Sequence, residues 1–225
     1  MDYYKYLSQY FFSDWIMILI TIIAFIVSIK HWNENRELNL ITYYIGASVA
    51  IDLLCIYFEL FIIGKFWILS ILIIIFIIVE ITIFFIYLSR AINSTKLKIV
   101  IKAIYISFFI LVSYLVSIRP IIFNNLVSGI AVIESFCLVF PCLFYFYELF
   151  TSRHIVLENQ PSFWVVTGIF FYNSCSIPIF LLTDYLNHKL IIDNSVVLAL
   201  NYILYSILFL LFIKAYLCRK KAISL

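Results

Sequence analysis

The sequence predicts an all-α fold: a polytopic membrane helical bundle of seven transmembrane helices, N-out/C-in. Three observations carry that reading. Of the 225 residues, 66% are hydrophobic and only 12% charged, with a mean hydropathy of +1.13; soluble domains average about 45–50% apolar and about 25% charged. The apolar residues are gathered into runs of membrane-spanning length. The basic residues collect at alternate breaks between those runs. A water-soluble globule of this size cannot hide so much apolar surface, so the surplus faces lipid. With 4 Gly and 4 Pro there is little room for a flexible linker, and residues 1–225 read as a single transmembrane domain.

A span needs about 20 largely apolar residues. Met1–Asp14 is aromatic and nearly uncharged, without a basic leader or a small-residue cleavage site, so the first run is read as a retained span. The seven runs are Trp15–Ile29, Leu40–Ile63, Phe66–Leu88, Ile99–Ile118, Leu126–Phe150, Phe163–Thr183 and Ser195–Leu217. The polar breaks between them are Lys30–Asn39, Gly64–Lys65, Ser89–Lys98, Arg119–Asn125, Thr151–Ser162 and Asp184–Asn194. The runs are far longer than strands and lack barrel-type alternation, which leaves helices as the backbone solution in hydrocarbon. Pro141 and Pro178 inside the fifth and sixth runs predict a bend or a freed carbonyl there.

Direction follows from Lys and Arg in short loops. With the N-terminus outside, Lys30, Arg36, Arg90, Lys96, Lys98, Lys102, Arg153, Lys214, Arg219, Lys220 and Lys221 fall inside. Only Lys5, Lys65, Arg119 and Lys189 fall outside. That distribution predicts a multi-pass protein of the inner (cytoplasmic) membrane, with the lipid bilayer as its first partner. The same basic residues form no continuous face, so nucleic acid is not an expected partner.

Ionisable groups at bilayer depth are disfavoured by about 2.5–3.5 kcal/mol on insertion scales and face a cavity or a partner. Four acids sit at that depth: Asp52 and Glu59 on the second run, Glu80 on the third and Glu134 on the fifth. Asp52 and Glu59 are two helical turns apart and share a face. Arg119, at the outer end of the fourth run, is the candidate ion-pair partner for Glu59 or Glu134. Asp52 and Glu80 have no evident cation. Glu148, near the cytoplasmic end of its run, is expected to snorkel toward the headgroups. The functional reading is a ligand or ion pocket formed by Asp52, Glu59, Glu80 and Glu134, supported by Asn173, Ser174, Ser176 and Asn201. The alternative is interhelical hydrogen bonding by protonated acids and small polar residues, which holds bundles together without a ligand. Both readings place Glu80 and Glu134 toward the bundle interior.

The remaining residue types speak for structure. Cys55, Cys137, Cys142, Cys175 and Cys218 lie in apolar runs or at the last helix end, in no paired spacing, and read as small hydrophobes. His31, His154 and His188 all fall in loops. No metal site and no cofactor is therefore expected. Tyr3, Tyr4, Tyr6, Tyr10, Trp15, Trp32, Trp67 and Trp164 fall near the expected interfaces, as an aromatic belt requires. HExxH, GxSxG, His-rich and CxxC patterns are missing, as is a mid-membrane Lys, so no catalytic residue is nominated. No Gly/Pro break recurs between the first three and last three runs, so repeats lend a transporter little support.

Three segments resemble a known group. They are VEITIFFIYLSRAINSTKLKIVIK (Val79–Lys102), GIAVIESFCLVFPCLFYFYELF (Gly129–Phe150) and LENQPSFWVVTGIFFYNSCSIPIF (Leu157–Phe180), sharpest at Pro161, Phe163, Trp164, Gly168 and Tyr172. Together they resemble seven-helix inner-membrane proteins of Bacteroidota, in which similar helices occur alone or as the sensor portion ahead of histidine-kinase-type modules. The resemblance implies a sensor-like module, with Glu80, Glu134 and Glu148 as candidate recurrent positions. The chain ends about eight residues after its last run, so no output domain is expected on it.

Two function classes follow. The first is a sensory or signalling module that acts through a separate signalling or assembly protein, reached through Arg90–Lys102 or Arg219–Leu225. The alternative is a small proton- or cation-coupled transporter using the intramembrane carboxylates. A membrane-bound enzyme would need a convergent catalytic pair that the sequence does not offer. The direction is tested by a reporter fused after Leu225, which should report from the cytoplasmic side; activity only on the outer side would invert the bundle.

Overall fold

In hydrocarbon every backbone N–H and C=O must be satisfied within the protein, and helices do this segment by segment. The computed structural model describes residues 3–33, 36–61, 66–118, 124–151, 160–189 and 194–218, with side chains at 15–33, 36–58, 68, 70–117, 127–151, 160–181 and 199–218. The chain folds into α1 (Tyr3–Lys30), α2 (Asn39–Phe61), α3 (Phe66–Ala91), α4 (Thr95–Ile118), α5 (Asn124–Thr151), α6 (Pro161–Lys189) and α7 (Asn194–Leu217). A single 3-10 turn, Arg36–Leu38, precedes α2. Six helices are long and apolar enough to cross a membrane, and the described side chains of α1 add a shorter apolar stretch, Trp15–Lys30. The protein is thus a multi-pass helical bundle in contact with lipid.

The helices outrun the apolar stretches that predict them. α3 continues past Leu88 to Ala91, and α4 begins at Thr95, before the apolar run opens at Ile99. The reason is that a helix ends where its backbone groups find other partners, not where hydropathy falls. Pro161 opens α6, a position where the missing N–H of proline removes nothing. Pro141 and Pro178 lie inside α5 and α6, which run through them.

Six helices close a ring in the order α1, α2, α3, α5, α6, α7, with α7 returning to α1. Helix α4 stands outside it, against α3 and α5. Accordingly α4 shows Ile99, Val100, Ile106, Ile110, Leu111 and Tyr114 outward, apolar surface suited to lipid. Inside the ring the largest fully buried side chains include Tyr44, Phe84, Phe108, Phe209 and Phe212. Isolated hydroxyls along the helices bond back one turn: Thr21 donates to Met17 O at 2.9 Å, Thr167 to Phe163 O at 2.7 Å and Ser206 to Tyr202 O at 2.8 Å. That habit satisfies a polar group in lipid without a partner helix.

One end of the bundle gathers the start of α2, α4 and α6 and the finish of α3, α5 and α7. We call it the basic end, because every described Lys and Arg side chain (Lys30, Arg36, Arg90, Lys96, Lys98, Lys102 and Lys214) lies at it or within two turns of it. Cross-links between helices are dense there. The Tyr216 hydroxyl donates to Leu38 O at 2.9 Å and lies 2.6 Å from Thr42 Oγ1, tying α7 to α2. Tyr145 and Ser162 meet at 3.0 Å between α5 and α6. Lys214 sits 5.6 Å from the ring centre of Trp164, between α7 and α6.

Close helix contact in lipid relies on small residues. At Gly168 an added Cβ would lie 3.2 Å from Leu208 Cδ1 and 3.3 Å from Leu211 Cβ, so α6 and α7 touch there with no space for a side chain. Gly129 meets nothing within 4 Å. Replacing Gly168 by Val should therefore destabilise the bundle by about 1–3 kcal/mol through overpacking, read as a lower melting midpoint in detergent. Gly129→Ala should be neutral or stabilising by up to about 1 kcal/mol. Equal loss in both would refute tight α6–α7 packing as the cause.

Candidate functional site

On α2, Tyr44, Ser48 and Asp52 recur every four residues, so one helical face carries two hydroxyls and an acid. The closed ring turns that face inward, where it meets Glu80 of α3, Glu134 of α5, Tyr172 of α6 and Tyr205 of α7. Glu80 and Glu134 are buried, at 5% and 6% exposure. Exposing either to lipid would strand a carboxyl without hydrogen bonds; inside, Glu80 accepts one from Tyr44.

The contacts form a chain. Ser48 Oγ lies 2.9 Å from Tyr205 OH. The Tyr44 hydroxyl sits 3.4 Å from Tyr205 OH and 3.3 Å from Glu80 Oε1. A phenol has one proton, so Tyr44 donates to only one of these at a time. Tyr172 packs on Tyr205 with ring centres 5.6 Å apart, and its hydroxyl is within electrostatic reach of Glu80, Glu134 and Asp52. Tyr205 is likewise within reach of Asp52 and Glu80, and Glu134 of Glu80. Two carboxylates this close in a low-dielectric interior repel unless a proton or a cation is held with them.

Three buried oxygens in this region have no hydrogen-bond partner among the described residues: Asp52 Oδ2, Glu134 Oε1 and Asn201 Oδ1. Asn201 stands one turn from Tyr205 on α7. Buried polar atoms in native proteins are nearly always paired, so three unpaired ones in one region call for an explanation. Among the described residues no group of three or more His, Cys, Asp or Glu is placed to hold a metal ion.

The sequence-nominated residues thus part company. Asp52, Glu80 and Glu134 belong to the cluster, and Asn201 lies one turn along α7 from its Tyr205. Asn173 is buried, but its amide donates to Ile169 O of its own helix at 2.8 Å; Ser176 bonds Tyr172 O at 2.7 Å and also pairs with the Tyr172 side chain, at the edge of the cluster. The side chain of Glu59 and all of Arg119 lie outside the described residues. Sequence reasoning assigned the tyrosines to interfaces and packing and so passed over Tyr44, Tyr172 and Tyr205. The signal for Tyr44 and Tyr205 was their four-residue spacing from Ser48 and Asn201.

The cluster is bounded unequally. Toward the basic end lies an aromatic layer: Tyr44 against Phe84 at 4.6 Å, Phe212 at 6.0 Å and Phe209 at 6.2 Å between ring centres. Ile41, Ile45, Leu88, Leu138, Cys142 and Ile169 complete it, all fully or almost fully buried. Toward the opposite end α3 and α5 stay packed, with Ile77, Ser70, Ile130 and Ala131 buried, but burial falls away along α2, α6 and α7. Beyond Ser48 on α2 and beyond Ser176 on α6, no described side chain is buried, and the same holds for α7 before Leu204.

Glu148 does something other than snorkel. Its carboxylate accepts the backbone N–H of Asn93 at 2.9 and 3.1 Å and that of Ser94 at 3.1 Å. Those amides lie just before α4, so an acid from α5 anchors the chain at the start of a neighbouring helix and complements its dipole. A shallow groove of about 460 Å³ lined by Ser94, Lys96, Leu97, Tyr147, Glu148 and Thr151 lies beside this contact.

No protein-family model, curated protein or solved structure matches this chain. The reading of the site therefore stands on geometry.

Two stability tests follow. Tyr205→Phe removes the group shared by Ser48 and Tyr44 and should cost about 1–3 kcal/mol. Glu148→Ala should cost about 1–2 kcal/mol by releasing the start of α4. Both are read as melting midpoints in detergent; a Tyr205→Phe variant as stable as the parent would show that the hydroxyl chain contributes nothing to stability.

Proposed function

We propose that this integral membrane protein is a sensory module that acts through a separate partner protein, with the interior cluster as its receiving site and the basic end as its output surface. The observation that carries the reading is the unequal bounding of the cluster. A site shut by a packed aromatic layer on one side, and thinly covered on the other along α2, α6 and α7, suits reporting better than conduction. The excess of Lys and Arg at the basic end supports a cytoplasmic position for it, which turns the thinly covered side outward. Seven spans, with α1 as the first, and residence in the inner membrane belong to the same reading. The resemblance of Val79–Lys102, Gly129–Phe150 and Leu157–Phe180 to sensor portions supports it as well.

The route from site to surface is short. Glu80 and the end of α3 belong to one helix, and the α3–α4 link is held by Glu148 of α5. A change of occupancy that shifts α3 against α5 would move Asn93, Ser94 and the exposed Lys96 together. Those residues form the face on which a partner would read the state.

A second reading, proton- or cation-coupled transport, draws on one observation. The Ser48–Tyr205–Tyr44–Glu80 chain is a hydrogen-bonded path of the kind proton relays use. The two readings separate in one experiment pair. With a photo-crosslinking side chain at Lys96 in native membranes, a discrete partner adduct is expected, with a yield that Glu80→Gln changes. Liposomes containing the purified protein alone should show no proton or cation flux above empty liposomes. Flux that Glu80→Gln abolishes would overturn the sensory reading in favour of transport.

A further inference from the structure

The oxygens that the cluster leaves unpartnered are all acceptors, and they do not all belong to acids. Asp52 Oδ2 and Glu134 Oε1 could each be relieved by a proton, but Asn201 Oδ1 could not, because an amide oxygen stays an acceptor at any ordinary pH. Glu134 is 94% buried by its 6% exposure, so its free oxygen is not served by bulk water. No described Lys or Arg reaches this depth; all lie at or near the basic end. Tyr172 is within electrostatic reach of Glu134 and of Asp52, and Asn201 stands one turn from Tyr205, whose hydroxyl meets Ser48 one turn from Asp52.

The geometry points to a binding site for a small monovalent cation, an alkali-metal ion or ammonium, among Asp52, Glu134 and Asn201, approached from the end opposite the basic end. The inference rests on the cluster being the receiving site and names what it receives. A divalent ion demands several carboxylates in one coordination sphere, and no such group of three is found among the described residues. A monovalent ion accepts amide and hydroxyl oxygens with one or two carboxylates, which is the set present. Tyr172 and Tyr205 add aromatic faces that attract a cation, and Glu80 lies behind them, hydrogen-bonded to Tyr44. The approach is set by packing: the aromatic layer around Phe84 and Phe212 closes the basic side, whereas α2 beyond Ser48 has no buried side chain among those described.

The test uses the purified full chain in detergent, melted by tryptophan fluorescence in choline chloride and then in NaCl, KCl or NH4Cl at equal ionic strength. At least one of the three salts should raise the melting midpoint saturably, by about 3–6 °C at ten times its Kd, and the three arms identify the ion. Glu134→Gln and Asn201→Ala should each lose most of that shift; should one fail to fold, the other carries the comparison. No shift in any salt would overturn the site and leave bridging water as what satisfies the three oxygens. A shift undiminished in both variants would place the ion elsewhere and also overturn it. If salts have no effect but Glu134→Gln alters the Lys96 crosslink, the cluster remains the receiving site and only the cation is refuted.

Discussion

A carboxyl group on a membrane-spanning helix has nowhere to go but inward, and much of this bundle is arranged around that constraint. Glu80 and Glu134 lie on α3 and α5, two helices that become neighbours only because α4, between them in sequence, is set outside the ring. Water is not available in hydrocarbon, so the hydrogen bonds offered to Glu80 come from a tyrosine of α2, which in turn meets a tyrosine of α7. Each of those phenols brings its own helix into line. The polar centre therefore links α2, α3, α5, α6 and α7, and the apolar packing encloses it.

The two halves of the bundle are built for different tasks. Around the basic end the helices are held by Tyr216 with Leu38 and Thr42, Tyr145 with Ser162, Lys214 with Trp164, and Glu148 with the amides just before α4. Each joins two different elements of the bundle, and the aromatic layer of Tyr44, Phe84, Phe209 and Phe212 seals the interior above them. In the other half the described side chains of α2, α6 and α7 are exposed or half-buried. Elements with few buried contacts open at lower free energy than the packed core. The polar cluster sits at the border of the two, where motion of the loose half can reach it while the tight half transmits the consequence.

How much of this was legible in the chain depends on whether a signal was local. The helices were legible because hydropathy over about 20 residues suffices, whereas their limits were not: α1 begins at Tyr3 rather than Trp15 and α6 runs past Thr183 to Lys189, because helix ends are not written in hydropathy. The start of α4 at Thr95 depends on Glu148, more than fifty residues later, a relation no window contains. Glu80 and Glu134 were legible as inward-facing from lipid cost alone. Their proximity was not, since it required knowing that α3 packs on α5. Tyr44 and Tyr205 were hidden by abundance: among 17 tyrosines, most with interface or packing roles to play, nothing in composition singles out these two.

By itself the sequence determined that this chain is a helical membrane bundle in contact with lipid, where its helices run, and that its acids must avoid the hydrocarbon. Those follow from transfer free energies, which are properties of short segments and need no knowledge of neighbours. Only the tertiary structure decided which helices close the ring, that α4 stands apart, and that Asp52, Glu134 and Asn201 each keep a buried oxygen without a partner among the described residues. Helix–helix association in lipid is chosen by close packing and a few polar contacts, not by a hydrophobic drive between helices. Such choices rest on residues far apart in the chain, as Gly168 against Leu208 and Leu211 illustrates.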